Sequence, residues 1–211
     1  MTREINAWMS KTNVTHLLLD GGTLSAKEGF HQAYVRDVSR GERLCVVEKK
    51  TTPYFKFFVD VDYSSPSEEC PMDFKKVALE IFRIVNLGPC VLARAAPRKS
   101  GKGTKHGLHM VWPESAVTKQ MANSIRMNIL DEFGDPEWEK IIDSSVYSGS
   151  GLRMLWSYKN EKGSTPYVPW ARISSSTSFE EFPDGGGVPS VDMLDLFTIR
   201  TPSSAGGGGG G

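Results

Sequence analysis

Tyr54-Phe55-Lys56-Phe57-Phe58-Val59-Asp60-Val61-Asp62 is the stretch that decides the fold of this 211-residue chain. Alternate side chains of a β-strand face opposite sides, so a strand here has one wholly apolar face. That face carries Phe55, Phe57, Val59 and Val61, and the other carries Tyr54, Lys56, Phe58, Asp60 and Asp62. The stretch therefore predicts a core strand that presents two carboxylates at its end.

The two carboxylates are expected to share a cation. Asp60 and Asp62 stand at i and i+2, so on a strand they project the same way with bases roughly 6–7 Å apart. Their oxygens can then converge on one hard cation. Burying two adjacent negative charges without such a cation is costly. The alternative is a strand that runs out into solvent, with both residues in the following turn.

Composition is that of an ordinary globular protein, with 39% hydrophobic and 24% charged residues. Lys and Arg together number 25, as do Asp and Glu, so any contact with nucleic acid has to come from a local patch. Cys45, Cys70 and Cys90 lack metal-ligand spacing and are expected to be reduced thiols. With no membrane-spanning run and no signal peptide, we expect a soluble intracellular protein without a membrane partner.

Predicted strands and helices alternate along the chain. The strands fall near 14–19, 44–48, 90–95, 107–112, 141–147 and 152–158, and the helices near 25–41, 73–86 and 118–133. Alternation with some hairpin pairing predicts an α/β fold around a mixed sheet. From about Ser174 the chain is rich in Ser, Gly, Pro and acidic residues and ends in six glycines. Apart from a short helix over 191–197, we expect a linker that does not pack.

A loop dense in cations and glycine spans Arg94–Lys105. It does not match a phosphate-binding P-loop, because Ala96 and Gly103 stand where that motif needs Gly and Ser or Thr. The remaining hypotheses are a mobile loop that contacts a nucleic-acid backbone and a plain solvated charge run. The cations expected at the backbone are Arg98, Lys99 and Lys102.

The segment after this loop predicts a phosphate contact. On a strand, Lys105, Gly107 and His109 share a face, and the small glycine lets an anionic ligand approach. Lys105 and His109 can then bind one phosphate group. His106 and His109 are poor joint metal ligands, because residues at i and i+3 of a strand point to opposite faces.

A third acidic residue and two further cations follow. Asp143 comes after an apolar pair, and Arg153 and Lys159 share a face of the next predicted strand. Combined with the earlier motifs, the pattern describes a divalent-metal site beside a polyphosphate site. The metal ligands are Asp60, Asp62 and Asp143, and the phosphate ligands are Lys105, His109, Arg153 and Lys159.

In these motifs the chain resembles the archaeo-eukaryotic primase superfamily. The likeness is strongest to primase-polymerases and to the primase halves of large-DNA-virus primase-helicase proteins. The matching segments are Phe58–Asp62, Lys105–His109, Ile142-Asp143, Val146-Tyr147, Arg153-Met154 and Ser157–Lys159, within a resemblance that runs from Thr15 to Lys162. The chain departs from the family pattern at Gly107, where Ser is frequent, and it lacks the zinc module of many relatives.

The resemblance implies a fold, an activity and cofactors. The fold is a catalytic core with an RRM-like mixed sheet and flanking helices over 51–173, a small α/β lobe over 1–50, and a linker or tail over 174–211. The activity is template-directed nucleotidyl transfer that makes primers or extends DNA. Two Mg²⁺ or Mn²⁺ ions would bind Asp60, Asp62 and Asp143, the dNTP or NTP triphosphate would bind the four phosphate ligands, and no zinc is expected.

The implied partners are a single-stranded DNA template and a helicase domain or subunit beyond the tail, at a site of DNA replication. Two alternatives stay open. One is a nucleic-acid-binding primase relic without catalysis, which has no reason to keep three mutually repelling carboxylates. The other is a rolling-circle endonuclease, which needs a His-apolar-His motif where this chain has His106-Gly107-Leu108-His109.

Overall fold

The strand that contains Asp60 lies at one edge of the larger of two sheets. The structure is a computed structural model that describes residues 8–19, 21–67, 70–101 and 103–201. The strands are β1 His16–Leu18, β2 Thr23–Leu24, β3 Val46–Glu48, β4 Tyr54–Ser65, β5 Cys90–Ser100, β6 Gly103–Thr118, β7 Leu152–Arg153, β8 Tyr167–Ser175 and β9 Ser178–Glu181. The larger sheet has the order β4-β6-β5-β8-β9 and the smaller one β2-β1-β3-β7.

The helices are α1 Phe30–Ser39, α2 Phe74–Val85, α3 Lys119–Phe133, α4 Trp138–Ile141 and α5 Val191–Phe197. The protein thus has the α+β class that the sequence predicts. The sheets differ from the prediction in one respect, since each strand pair among the described residues is antiparallel rather than part of a mixed sheet. The long β5–β6 hairpin accounts for this, because a hairpin pairs its strands antiparallel.

Two long helices cover the apolar face of the larger sheet, and their ends follow from local sequence. Asp73 accepts hydrogen bonds from the backbone N–H groups of Lys75 and Lys76 at the start of α2. Thr118 caps α3 in the same way, and Gly134 ends it at φ 68°. Both helices therefore lie where capping residues and apolar spacing predict them.

The predicted apolar face of β4 is buried. Phe55, Phe57, Val59 and Val61 are each at most 2% exposed, and they pack in one cluster with the apolar residues of β6. Phe58 is also fully buried, although strict alternation assigns it to the polar face. Phe58 keeps the register of Asp60, beyond the shift between Lys56 and Phe58, and it is buried because the rings of Phe55 and Tyr147 pack against it.

Three predicted segments differ from the structure. Helix α1 begins at Phe30 after Gly29, without a side-chain cap, and so starts later than the position near residue 25 that the sequence predicts. The predicted strand over 141–147 is the end of α4, an isolated bridge and a 3-10 turn. The predicted strand over 152–158 is reduced to β7, because the chain turns at Leu155 and Trp156.

The expectation of an unpacked chain after Ser174 is wrong for residues 174–201. Strand β9 pairs with β8, and helix α5 buries Leu194 and Phe197. The backbone then returns to β4, where Ile199 accepts a hydrogen bond from Lys56 N–H and Arg200 bridges Phe55. This segment packs although it is mostly polar, because its few apolar side chains are buried against the core that the rest of the chain forms. The terminal glycines lie outside the described residues.

Other expectations concern cysteines and membranes. Cys45 and Cys90 are buried free thiols, and Cys70 is a half-buried one. Over the described part of the chain, no helix combines the length and apolarity that crossing a membrane requires.

Candidate active site and basic cleft

Pairing of β4 with β6 brings the first two sequence motifs together. Asp60 lies opposite His109, and Asp62 lies opposite Gly107. The Oδ1 atom of Asp60 is 3.5 Å from Nε2 of His109. Residues paired across antiparallel strands share a face, so the acidic pair and the Lys105–His109 motif project from the same side of the sheet.

Burial disfavours the charged forms of both Asp60 and His109. Burial, then Asp62 and then Asp143 raise the pKa of Asp60 well above its ordinary value. Burial, followed by Arg153 and Lys159, lowers the pKa of His109 well below its ordinary value. His109 is thus a neutral imidazole at pH 7, and Asp60 Oδ1 is buried without a hydrogen-bond partner. An unpaired buried acceptor of this kind marks the place where a cation or a donor belongs.

Asp143 is held next to Asp60 through the backbone. Its N–H donates to the carbonyl oxygen of Asp60 at 3.1 Å, and Ile142 bridges Val61. The Arg126 side chain of α3 fixes this loop from behind by donating to the carbonyl of Ile142 at 2.9 Å. A loop, rather than the predicted strand, therefore brings the third carboxylate to the edge of the sheet.

The Asp143 carboxylate is turned toward its own loop. One oxygen accepts from Ser145 N–H at 2.7 Å and the other from the Ser145 hydroxyl at 2.8 Å. Among the residues that the structure describes, no three His, Cys, Asp or Glu side chains converge closely enough to hold a metal ion. Three hard carboxylates and the unpaired Oδ1 of Asp60 nevertheless fit Mg²⁺ or Mn²⁺ in chemistry. Binding by all three requires Asp143 to rotate away from Ser145.

A cleft beside the carboxylates brings together three of the four predicted phosphate ligands, Lys105, Arg153 and Lys159, whereas buried His109 does not line it. We call it the basic cleft; it is lined by Asp62, Ala95, Ala96, Arg98, Lys105, His106, Gly107, Arg153, Lys159, Thr165 and Tyr167. Lys105 comes from β6, whereas Arg153 comes from β7 of the smaller sheet. Arg153 and Asp60 therefore lie in different sheets and not in the single mixed sheet that the sequence predicts. The two sheets meet so that their cations face one another across the cleft.

Tyr167 is a central residue of the site that sequence reasoning missed. Its ring stacks on His109 with centroids 3.4 Å apart, and the Arg153 guanidinium lies 4.5 Å from the ring centroid. A Cβ atom at Gly107 would come within 2.2 Å of the Tyr167 hydroxyl oxygen. The hydroxyl thus fills the space that a side chain at position 107 would need. No sequence motif marks Tyr167, because its role depends on strand β8 lying beside β5.

The predicted basic loop is the outer part of the β5–β6 hairpin. Arg98 pairs with Lys105 in the strand register, and its guanidinium forms an ion pair with Glu161. Its side chain is only 16% exposed, whereas Lys99 is exposed. Lys102 lies outside the described residues. Arg98 is therefore part of the basic cleft, and Lys99 lies on the rim of the hairpin.

Fold and site together define an α+β domain of the archaeo-eukaryotic primase type. The family model described as "C962R protein N-terminal AEP domain" matches residues 16–173. This match covers more than half of the 211 residues, so the chain belongs to that family. Membership assigns it to a group of primase-type nucleotidyltransferases that bind nucleotides and nucleic acid and generally use divalent metals. No curated protein matches the chain.

Proposed function

We propose that this chain is the catalytic domain of a DNA primase or primase-polymerase, which adds nucleotides to a primer or starts one on a single-stranded DNA template. The observation that carries the proposal is buried Asp60, whose Oδ1 has no hydrogen-bond partner and whose charge Asp62 and Asp143 disfavour, close to a basic cleft that Asp62 itself lines. A relic that only binds DNA gains nothing from an ionisable group that burial and its neighbours destabilise.

Each side chain has a role that follows from its position. Asp60, Asp62 and Asp143 would hold Mg²⁺ or Mn²⁺, which when bound activates the attacking hydroxyl and stabilises charge on the reacting phosphate. Lys105, Arg153 and Lys159 neutralise the triphosphate in the basic cleft. His109 stays neutral and donates a hydrogen bond to a phosphate oxygen, while Tyr167 keeps its ring in place. Arg153 is oriented over the same Tyr167 ring.

Template binding is assigned to the β5–β6 hairpin through Arg98, Lys99 and Lys102. Sequence is read by pairing between bases, so the protein needs backbone contacts more than base contacts. A net charge of zero means that such binding is weak and falls with added salt unless another domain helps. We propose that a helicase domain or subunit beyond the C-terminal tail supplies that help during DNA replication.

Incorporation of labelled nucleotides tests the proposal. We expect the chain to incorporate dNTP or NTP in the presence of Mn²⁺ or Mg²⁺ on primed or unprimed single-stranded DNA. Asp60→Ala removes the buried carboxylate and should abolish incorporation with the fold intact. Asp131→Ala is the matched control, because Asp131 is an exposed carboxylate on α3. Equal activity of the two variants, or metal-independent cleavage of the template in place of synthesis, would refute the proposal.

A further inference from the structure

A second cavity lies near the basic cleft, chiefly on the side of the sheet that α2 covers. Its volume is about 690 Å³, within the range of small-ligand sites. Its lining includes Asp73, Phe74, Lys75, Arg94, His106 and Trp170. None of the proposed catalytic carboxylates is among the lining residues, so the cavity is distinct from the metal site. We call it the α2 cavity.

Two buried ring nitrogens in the wall of the α2 cavity have no partner. His106 and Trp170 are each 7% exposed, and Nε2 of His106 and Nε1 of Trp170 make no hydrogen bond. Leaving such groups unpaired costs free energy. Neither nitrogen is accessible as the side chains stand, so a ligand with matching acceptors and donors recovers that cost only when the His106 or Trp170 ring turns toward it. The indole N–H donates, and a neutral imidazole nitrogen either donates or accepts. The edge of a nucleobase carries both kinds of partner.

The cavity also offers flat surfaces for a planar ring. Arg94 is exposed, and its guanidinium carbon lies 4.9 Å from the centre of the Trp170 ring in a cation–π contact. Phe74, the first residue of α2, is half-buried and also lines the cavity. Aromatic rings and arginine planes are the surfaces on which unpaired bases stack.

Charge at the rim suits a phosphate. Lys75 and Arg94 are both exposed cations, and Asp73 has its carboxylate engaged by the N–H groups of Lys75 and Lys76. The cavity shares Ala95, Ala96, His106 and Gly107 with the basic cleft. Register between β5 and β6 shifts between Ala95 and Arg98, so this shared wall is an irregular part of the hairpin. The α2 cavity and the basic cleft are therefore adjacent, separated by this part of the hairpin.

We propose that the α2 cavity binds an unpaired base, with its phosphate, of the single-stranded nucleic acid that the domain copies. The proposal rests on the proposed function for the identity of that strand. It adds a stacking site, on the side of the sheet that α2 covers, to the backbone contacts of the hairpin. Such a site keeps one template base out of the stack and limits sliding of the strand.

Binding of a fluorescent oligo(dT), measured by anisotropy without metal or nucleotide, tests the proposal separately from catalysis. Arg94→Gln combined with Lys75→Gln should weaken binding by at least about fivefold, the effect of losing one stacked base. Lys76→Gln is the matched control, since Lys76 is the next residue of α2, is 86% exposed and does not line the cavity. Unchanged affinity of the double variant overturns the proposal.

Photo-crosslinking locates the base directly. An oligonucleotide that contains 5-iodouracil should form an adduct on the peptide that holds Phe74 or Trp170, and Asp60→Ala should not change it. Adducts only at other aromatic residues overturn the proposal. Free dTMP distinguishes the two sources of a base: dTMP binding that Arg94→Gln abolishes, with oligonucleotide affinity unaltered, also overturns the assignment to a strand. If the wild-type protein forms these adducts but incorporates no nucleotide, the proposed function is wrong while the base-binding site stands.

Discussion

Asp60 is the residue at which stability and proposed catalysis oppose each other. Its folded-state pKa lies above the unfolded value of 3.8, because burial, Asp62 and Asp143 disfavour its charge. The folded state therefore binds the proton more tightly, so the contribution of Asp60 to stability is present below pH 3.8 and is lost as the pH rises through the folded pKa. At neutral pH a charged Asp60 without a cation destabilises the fold.

Asp60→Asn should consequently raise the free energy of unfolding at pH 7 by about 1–2 kcal/mol while removing activity. Urea titrations at pH 7 and pH 4 measure this, and the gain should shrink at pH 4, where the wild-type carboxyl binds its proton. Millimolar Mg²⁺ or Mn²⁺ should stabilise the wild type more than the variant. A variant less stable than the wild type at pH 7 would contradict this expectation.

His16 makes the protein sensitive to acid at a position far from the carboxylates. Burial, with smaller contributions from Arg200 and His31, lowers the pKa of His16 to about 3. The unfolded chain binds its proton near pH 6.5 and the folded one does not, so stability falls as the pH drops below 6.5. The loss should be about 2 kcal/mol between pH 6.5 and 5.

Unfolding of His16→Met at the two pH values measures this loss, because Met fills a similar volume and cannot titrate. The variant should lose less stability on acidification than the wild type. His31→Asn is the comparison: His31 makes only one of the smaller contributions to the lowered pKa of His16, so this variant should change the acid sensitivity much less than His16→Met does. Equal acid sensitivity of His16→Met and the wild type would show that other groups dominate.

Gly107 and Tyr167 are expected to depend on each other. Gly107→Ala puts a Cβ within 2.2 Å of the Tyr167 hydroxyl oxygen, so the ring has to leave its stack on His109. We expect a loss of about 1–3 kcal/mol in stability, the usual cost of overpacking, together with weaker nucleotide binding. In a double-mutant cycle, Gly107→Ala should lower the free energy of unfolding less in the Tyr167→Ala background than in the wild type. Strictly additive effects would show that the two do not interact.

At the scale of elements, we expect strand β7 to contribute to nucleotide binding and the β5–β6 hairpin to contribute to template binding. Arg153→Ala removes a cation from the basic cleft and should weaken nucleotide binding about tenfold to a hundredfold, with template affinity nearly unchanged. Lys99→Gln with Lys102→Gln should weaken template binding and lower the slope of its salt dependence by about 1 for each phosphate that the variant no longer neutralises. Nucleotide titration and oligonucleotide anisotropy separate the two, and Lys140→Gln on α4 is a neutral control.

Sequence predicted the elements whose signals are local. Helices α2 and α3 have caps at Asp73 and Thr118 and apolar spacing between, so their positions follow from residues close in the chain. The conformation of residues 141–158 could not be predicted in this way, because it depends on contacts with residues that are distant in the sequence. Ile142 is held by Val61 and Arg126, and Tyr158 donates its N–H to Leu44.

The candidate site likewise contains residues whose proximity was predictable from the sequence and residues whose proximity was not. Asp60, His109 and Gly107 were predictable as neighbours, since strand alternation places them on faces that pairing then joins. The position of Arg153 in another sheet was not, and neither was Tyr167, because both depend on how the two sheets meet. Periodicity within a strand contains no information about contacts between sheets.

At the scale of the whole molecule, the segment after Ser190 joins the two sheets. Glu48 of β3 is buried and accepts hydrogen bonds from the Thr198 hydroxyl and from Ile199 N–H, the latter at 2.8 Å. Lys56 of β4 contacts the same segment through its N–H to Ile199 and its ammonium to the Asp195 carbonyl. Residues 190–200 therefore tie β3 to β4.

Truncation after Pro189 should accordingly destabilise the protein severely. It removes the buried side chains of Leu194, Phe197 and Ile199, worth about 4–8 kcal/mol together, which approaches the whole stability of a typical domain. Truncation after Thr201 keeps Leu194, Phe197 and Ile199 and should therefore lower the melting temperature far less. Circular dichroism melts compare the two. Similar melting temperatures for both truncations would contradict the role of the segment.

The smaller sheet has a consequence for the order in which the chain is made. Strands β1, β2 and β3 leave the ribosome well before β7, the fourth strand of their sheet, which begins only at Leu152. During that interval the edge of β3 lacks its partner, and pairings between such distant segments form slowly and leave exposed edges prone to aggregation. The first fifty residues are thus not a unit that completes itself, and the arginine proposed to bind the triphosphate reaches its place only when that edge is closed.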